Sequence, residues 1–377
     1  MQQGVLTPSG SAAAHPPGRR PDVSVIVTGW KDAPCLLECL RSLAEHRTRC
    51  AVELLVSLNE PAPELLHDVH AQVPSGSQIL VSPVNSGFAE ANNRAARRAR
   101  GTYLLFLNDD TVVLDGWMDA LVDALEDHPE TGVVGSVLVD ADGTVQDAGV
   151  VVWSDGAVSE VTGEVLRGEE PQSMDVLFCA AASMLTRRSL FEAVGGFDAG
   201  YFPAYYEDAD LCLKVLAHGL TTRIEAASQV VHRHSASTTS SYAWFLTRVN
   251  QERFVQRWSA LLERLPPPPR QFDVESLAPV VLAGLEATRV LIGTHPEVDP
   301  QRPDVPGPLG EDTCRALERA LLLRYIRELE ASNDELRRLA EGYGTRVQEL
   351  AEELDDARRG GGAPPVDRVA DPGPAGS

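Results

Sequence analysis

The sequence predicts an α/β fold in which helices flank a mostly parallel sheet, followed by a helical coiled-coil appendage. In residues 21–264, apolar and β-branched segments alternate with segments of helical periodicity, as in parallel sheets with right-handed crossovers. Residues 103–107 are continuously apolar, which is typical of a central strand covered on both faces. Residues 311–359 instead carry apolar side chains at seven-residue spacing.

Each element of the domain has its own local signal. β-branched or apolar runs predict strands, and apolar residues at three- to four-residue spacing between Gly or Pro breakers predict helices. The predicted strands are residues 22–30, 52–58, 78–81, 103–107, 221–225 and 229–233, with two more inside 132–152 and an apolar stretch at 174–186. The predicted helices are residues 34–46, 60–71, 87–100, 116–127, 189–194, 204–219 and 242–264. Residues 153–173 are polar and Gly-rich, which predicts a loop.

The acidic cluster Asn108-Asp109-Asp110 directly follows the apolar strand. Ligands of open α/β sheets bind just beyond the carboxyl ends of strands. Adjacent carboxylates repel each other unless water, a cation or a helix N-terminus compensates. Two interpretations follow: a solvated turn that caps the next helix, or a site where a hard cation holds a diphosphate. The position after a buried strand favours the second.

A second acidic cluster, Glu207-Asp208-Ala209-Asp210, opens a predicted helix. The helix dipole favours acidic residues in a first turn, which accounts for most of this pattern. Asp210 can pair with Lys214 at i, i+4. Asp208 falls on the apolar face, where burial of a carboxylate costs free energy unless the group is used or paired. Asp208 is therefore a candidate general base.

Two histidines lie near the end of the last predicted strand. Period-two alternation places His232 and His234 on the same face. Solvent-facing polar residues and metal ligands are both consistent with this placement.

Together these segments resemble the family 2 glycosyltransferases of the GT-A fold, in particular their nucleotide-sugar-dependent, rhamnosyltransferase-like branch. The resemblance covers about residues 22–260. The residues that carry it are Asn85, Gly87, Phe88, Asn92, Asn93, Asn108-Asp109-Asp110, Gly195-Gly196-Phe197-Asp198, Glu207-Asp208-Ala209-Asp210-Leu211 and Val230-Val231-His232.

The resemblance implies a role for each matching residue. It implies that Asp110 and His232 ligate Mn²⁺ or Mg²⁺, that Asp208 is the general base, and that Glu207 is the alternative base. The implied acceptor contacts are Phe197 and Asp198. The implied donor-binding residues are Thr28, Trp30, Asn59, Asn85, Gly87, Asn92, Asn108 and Asp109. Asn59 and Asn108 stand where the family commonly has Asp.

The implied function is inverting transfer of a sugar from a nucleotide-diphosphate sugar to an acceptor hydroxyl. The acceptor would be a glycan or glycolipid of bacterial cell-surface polysaccharide or glycolipid synthesis. The alternative is a non-catalytic sugar-binding or assembly scaffold with a degenerate glycosyltransferase domain, since two acidic positions are replaced by amides.

The composition indicates which partners and which cellular compartment to expect. The net charge of -22 argues against a nucleic-acid partner, because phosphate binding needs a basic surface. No apolar stretch is long enough for a transmembrane segment. The six cysteines include no pair spaced for zinc, which favours free thiols in a reducing cytosol. We expect a cytoplasmic protein, with peripheral attachment to the inner membrane face left open.

The predicted domain plan has five parts. A disordered leader at residues 1–20 precedes the glycosyltransferase domain at 21–264, and a Pro-rich linker with one helix spans 265–310. The heptads of 311–359 contain Asn333 at an a position, which favours a parallel homodimer; a single amphipathic helix docked on the domain is the alternative. Residues 360–377 are Gly- and Pro-rich and predict a disordered tail.

Overall fold

The computed structural model describes residues 20–31, 35–233, 240–270 and 308–333, together with 272–273, 279–281, 283–284 and 286–287. The chain divides into two compact units, Met1–Glu318 and Arg319–Ser377. The first unit contains every predicted site residue. The predicted leader, the tail and the heptads after residue 333 lie outside the described residues, as does His234.

One mixed sheet organises the first unit. Its strands are β1 (Val23–Trp30), β2 (Val52–Asn59), β3 (Gln78–Ser82), β4 (Tyr103–Asn108), β5 (Thr111–Val113), β6 (Thr131–Val139), β7 (Val145–Asp147), β10 (Met174–Val176), β11 (Ser183–Arg187) and β12 (Thr221–His232), while β8 (Val150–Val152) and β9 (Val158–Glu160) form a separate hairpin. The helices are α1 (Leu36–Glu45), α2 (Pro63–Gln72), α3 (Gly87–Ala96), α4 (Trp117–Asp127), α5 (Arg188–Ala193), α6 (Glu207–Ala217) and α7 (Ser240–Leu262).

The sheet has a parallel half and a mixed half. Strands β3, β2, β1 and β4 are parallel neighbours, as the alternation of strands and helices predicts. β11 is antiparallel to both β4 and β6, and β6 is parallel to β12. The short strand β5 pairs antiparallel with the end of β12. The α/β fold class with a helix-flanked sheet is confirmed.

Strand β12 differs from its prediction. Its residues were expected to form two strands, 221–225 and 229–233, and they form one strand with a register irregularity between Glu225 and Gln229. A bulge accommodates the intervening residues without breaking the strand, which local periodicity does not reveal. Residues 153–173 likewise contain strand β9, which pairs with β8.

The central strand β4 joins the two apolar layers of the domain. Leu104 and Phe106 face one layer, Leu105 and Leu107 face the other, and each is at most 1% exposed. The small residues of α3 lie in the same layer as Phe106, so the helix approaches the sheet closely. The continuous apolar run therefore reflects burial on both faces, as predicted.

A buried ionic network holds α6 against α7. Asp198 and Asp210 are completely buried. Arg257 contacts Asp198 at 3.2 Å and Asp210 at 2.9 Å, and Lys214 contacts Asp210 at 2.9 Å. Burial alone would raise the pKa of Asp210, but Lys214 and Arg257 outweigh it and hold that pKa below its usual value. The i, i+4 pairing of Asp210 with Lys214 is confirmed.

Helix α7 is amphipathic. Phe245, Phe254 and Trp258 are buried, whereas Trp244 is 68% exposed. Its backbone is kinked at Trp258. Within the described part of the chain, no helix is long and apolar enough to cross a membrane.

In the second unit, residues 319–333 are helical. Its larger apolar side chains are 43% to 50% exposed: Leu322, Leu323, Ile326 and Leu329. Leu322, Ile326 and Leu329 recur at the spacing of a heptad seam, so these exposed positions agree with the predicted apolar stripe.

We expect Arg257→Met to destabilise the first unit by about 2–4 kcal/mol, because it leaves Asp198 and Asp210 buried with fewer cations. Urea unfolding followed by circular dichroism measures this change. Arg248→Met on the same helix is the matched control. Arg248 pairs with Glu252 at a partly exposed site, so its loss should cost less than about 1 kcal/mol. Equal losses in the two variants would contradict a stabilising role for the buried network.

Candidate active site

The two predicted metal ligands lie side by side. Asp110 ends the turn after β4, and His232 ends β12, opposite Thr111 of β5. The backbone N–H of Arg233 donates to the carbonyl oxygen of Asp110 at 2.9 Å. Nε2 of His232 is 3.3 Å from Oδ1 of Asp110, and each side chain is 12% exposed. Residues far apart in the sequence thus form one pair at the edge of the sheet.

The groups around this pair suit a hard cation. Burial and the neighbouring Asp110 raise the pKa of Asp109 to about 7. Oδ1 of Asn108 is buried and has no hydrogen-bond partner among the described residues. Those residues contain no group of three or more His, Cys, Asp or Glu placed to hold a metal. One carboxylate and one imidazole fit a cation that takes its other ligands from water and a diphosphate.

Asp208 reaches the same edge from α6. Its Oδ2 accepts the backbone N–H of Ala181 at 3.2 Å, and its Oδ1 accepts that of Ala209 at 2.8 Å. The next residue, Ala182, accepts the backbone N–H of Asn108 at 3.1 Å. Two consecutive residues before β11 therefore connect Asp208 to the acidic turn after β4.

Two tyrosines in left-handed conformation place the start of α6. Tyr205 and Tyr206 have φ of 82° and 74°, a region that residues other than glycine adopt rarely. Such strain persists only where surrounding contacts maintain it, and it clusters at functional sites. Here it directly precedes Glu207 and Asp208, the two candidate bases.

The two candidate bases differ in exposure. Burial raises the pKa of Asp208. Burial and then the neighbouring Asp208 raise the pKa of Glu207 well above its ordinary value. Glu207 is 5% exposed, whereas Asp208 is only half-buried. Of the two candidate bases, Asp208 therefore has the more accessible side chain.

The glycine turn before α3 contacts the segment before α6. Oδ1 of Asn85 accepts the N–H of Gly87 at 2.9 Å, and Nδ2 of Asn59 donates to the Gly87 carbonyl at 3.3 Å. Gly87 has φ of 78°, and a Cβ there would lie 3.0 Å from the carbonyl oxygen of Pro203. Phe88 N–H donates to that same oxygen at 2.7 Å. The close approach therefore requires glycine.

The other predicted donor residues lie on β1 and its neighbours. Thr28 donates to Oδ1 of Asn92 at 3.0 Å, and both side chains are buried. Trp30 is partly exposed at the end of β1, and its Nε1 donates to Glu60 at 3.2 Å. Thr28 and Asn92 thus brace α3 on the sheet, and their contact with a donor stays a prediction.

The predicted acceptor contacts Phe197 and Asp198 need correction. Both side chains are completely buried, so neither is accessible to an acceptor. Asp198 accepts from Arg253 at 3.1 Å, in addition to Arg257. Nδ2 of Asn93 donates to the carbonyl oxygen of Phe197 at 2.8 Å, and Oδ1 of Asn93 accepts the N–H of Phe197 at 3.0 Å. These residues connect α3, α6 and α7 and stabilise the fold.

Sequence analysis missed Asp147, which ends β7. Its carboxylate is buried and accepts the N–H of Gly149 at 2.6 Å. The pKa of Asp147 is raised to about 7, chiefly by burial and then by the nearby Glu160. Asp208 contributes to this rise, while the Gly149 hydrogen bond and His232 oppose it. Asp147 is therefore close enough to both the candidate base and the candidate metal ligand to interact with them electrostatically. The available signal was the polar pair Gln146-Asp147 between the apolar residues Val145 and Ala148.

Comparison with known proteins identifies the family of this domain. Residues 24–195 match the family model of glycosyl transferase family 2. This segment is a family 2 glycosyltransferase domain. The chain is 35% identical over 233 residues to the O-antigen biosynthesis protein RfbC of Myxococcus xanthus, covering 59% of this chain and 18% of that protein. It therefore spans about a fifth of that relative's length.

Two further proteins are similar to the chain. An N-acetylglucosaminyl-diphospho-decaprenol L-rhamnosyltransferase of Mycobacterium tuberculosis is 29% identical over 226 residues, covering 51% of this chain and 73% of the relative. Among solved structures, a mannosyltransferase from Pyrobaculum calidifontis superposes with a TM-score of 0.47 at 20% identity, covering 82% of this chain and 84% of that chain.

We expect Asp147→Asn to make stability less dependent on pH. A carboxyl group whose pKa is raised by folding favours the folded state below its unfolded pKa of about 4, and that contribution is lost as pH rises through about 7. The amide stays neutral and can still accept from Gly149. At pH 8 the variant should exceed the wild type by on the order of 1–3 kcal/mol, and at pH 4 the two should converge. Urea unfolding at both pH values measures the gap.

Asp155→Asn is the control for this measurement, because Asp155 makes the same contact to the N–H two residues ahead from an exposed position. Its difference from the wild type should be the same at both pH values. If the difference in free energy of unfolding between Asp147→Asn and the wild type did not change with pH, folding would not raise the pKa of this carboxyl group.

Proposed function

We propose that the protein transfers a sugar from a nucleotide-diphosphate sugar to an acceptor hydroxyl with inversion at the anomeric carbon. The family 2 domain supports the reaction class. The observation that carries the proposal is the contact between Asp110 and His232 at 3.3 Å. Asp110 lies in the turn after β4, and the consecutive residues Ala181 and Ala182 connect this turn to Asp208. We therefore place the site for the donor diphosphate next to the base Asp208.

Asp208 acts on the acceptor. Its carboxylate keeps an exposed part and is oriented by two backbone N–H groups, so it can take the proton of a hydroxyl placed against it. The raised pKa makes it a stronger base than a carboxylate in water. The acceptor oxygen attacks the anomeric carbon from the side opposite the departing diphosphate, and one displacement inverts the configuration. Glu207 remains the alternative base.

Asp110 and His232 are the residues that would hold Mn²⁺ or Mg²⁺. A divalent cation there supplies positive charge to the leaving diphosphate. Oδ1 of Asn108, which has no partner in the described part of the chain, and the carboxyl of Asp109 lie in the same turn, where we place donor contacts. Asn108 contributes no charge of its own, so the carboxylates of this turn come from Asp109 and Asp110.

The remaining donor contacts lie along the carboxyl ends of the parallel strands. We place the nucleoside near Trp30, whose ring is partly exposed at the end of β1. The buried residues Thr28, Asn59, Asn85 and Asn92 hold the glycine turn, and Gly87 provides backbone close to the donor. Donor binding at this edge follows the general rule for open α/β sheets.

The relatives suggest the substrate class. Their names describe O-antigen biosynthesis and rhamnosyl transfer to a decaprenol-linked acceptor. We therefore propose a hexosyl or deoxyhexosyl donor and a glycan or glycolipid acceptor of bacterial surface polysaccharide synthesis. We propose that the protein acts in the cytoplasm, at the inner face of the membrane.

We also propose that residues 311–359 form a parallel coiled-coil homodimer. The described part of this helix exposes Leu322, Ile326 and Leu329 at heptad spacing. The sequence continues the seam through residue 354 with Asn333 at an a position.

Asp208→Asn should lower the rate of sugar transfer by about 10²–10⁴-fold, because the amide cannot take the acceptor's proton. Donor binding should be retained, since Asp208 faces the acceptor. The measurements are transfer from a panel of nucleotide sugars with Mn²⁺, and thermal shift with the matching nucleoside diphosphate. Asp110→Asn should lose both transfer and the Mn²⁺-dependent thermal shift.

Asp123→Asn is the control, since Asp123 is an exposed residue of α4 that pairs with Arg49. Undiminished transfer by Asp208→Asn would remove Asp208 as the base, and Glu207→Gln would then be tested in its place. If the wild type transfers no sugar from any donor, the glycosyltransferase proposal fails.

Leu322→Glu combined with Leu329→Glu should convert the dimer into a monomer, because charges at the seam oppose its association. Sedimentation equilibrium measures the mass of both proteins. Arg327→Glu tests a neighbouring position off the seam and should leave the mass unchanged. A monomeric wild type would favour the single docked helix.

A further inference from the structure

Gln146 lies at a bulge beside the site. Two consecutive residues of β6 pair with Val145 and Asp147, which leaves Gln146 as the extra residue of β7. β6 is also the neighbour of β12, so a single strand separates β7 from His232. Bulges re-aim side chains and are common next to active sites. The Gln146 side chain contacts His232 at two atoms.

The orientation of the Gln146 amide is determined by its partners. Nε2 donates to the backbone carbonyl oxygen of His232 at 2.6 Å and also to the carboxylate of Asp140. A carbonyl oxygen can only accept, so the amide nitrogen must face it. The amide oxygen Oε1 is then the atom 3.2 Å from Nδ1 of His232. Because Oε1 can only accept, Nδ1 of His232 carries the hydrogen.

In the neutral ring, this assignment leaves the lone pair of His232 on Nε2. That nitrogen is 3.3 Å from Oδ1 of Asp110. Two acceptors at this distance repel each other unless a proton or a bound cation lies between them. Two neighbouring ligands of one octahedral cation at about 2.1 Å are themselves about 3 Å apart. The tautomer and the spacing therefore both suit a shared divalent cation.

We propose that Gln146 is a positioning residue that holds His232 with Nδ1 protonated and Nε2 directed at Asp110, ready to ligate a divalent cation. The inference rests on the proposed function of the Asp110–His232 pair. Gln146 does not touch substrate or cation; it acts through the imidazole, as outer-shell partners of metal-binding histidines do.

The test uses the full-length protein and Mn²⁺ alone, with free Mn²⁺ measured by electron paramagnetic resonance. Gln146→Leu should weaken Mn²⁺ binding by about 10–100-fold. In a His232→Ala background it should cause no further loss, because both changes remove the same ligand. The matched control is Gln72→Leu. Gln72 of α2 donates to the backbone carbonyl oxygen of Leu37 in α1, away from the candidate site. It should bind Mn²⁺ like the wild type, and circular dichroism checks the fold of each variant.

A second readout needs neither metal nor activity. ¹⁵N NMR of the imidazole distinguishes a protonated from an unprotonated ring nitrogen. His232 should show protonated Nδ1 in the wild type and in Gln72→Leu, and should shift towards protonated Nε2 in Gln146→Leu. Unchanged Mn²⁺ affinity and an unchanged tautomer in Gln146→Leu would overturn the inference. A wild type that binds no Mn²⁺ would overturn the proposed cation site instead, while the NMR result would still decide the role of Gln146.

Discussion

The pairing of β5 with β12 is the contact on which the site depends. The chain leaves β4, turns through Asn108-Asp109-Asp110 and returns as a three-residue strand against the end of β12. This ladder places Thr111 opposite His232 and so sets Asp110 beside the imidazole. Successive side chains of a strand point to opposite faces, so a shift of one residue would turn His232 away. The proposed cation site is thus a consequence of strand register.

A second constraint acts on helix α6, which carries Asp208. Asp198 and Asp210 are buried charges, which are costly to remove from water, and Arg257 and Lys214 compensate them. The network fixes α6 relative to α7, while the amide of Asn93 joins α3 to the same loop. The start of α6, and with it Asp208, is thereby held in place. These buried polar residues thus support the candidate site by fixing the positions of the helices around it.

Much of the fold could be predicted because its signals are local. Alternating apolar strands and helices indicated an α/β sheet, and the apolar run of β4 indicated a strand buried on both faces. The continuous strand β12 and the hairpin of β8 and β9 were missed, since bulges and antiparallel pairing depend on distant partners. Periodicity reports which face is apolar, and it does not report which strand lies alongside.

The sequence by itself determined the fold class, the family resemblance, and the residue types at the site: acidic groups after a buried strand, an acidic first turn, and a histidine at a strand end. These follow from short-range spacing. The tertiary structure alone decided that Asp110 meets His232, that Phe197 and Asp198 are buried, and that Gln146 and Asp147 belong near the site. Burial and hydrogen bonding join residues far apart in the chain, and only packing determines them.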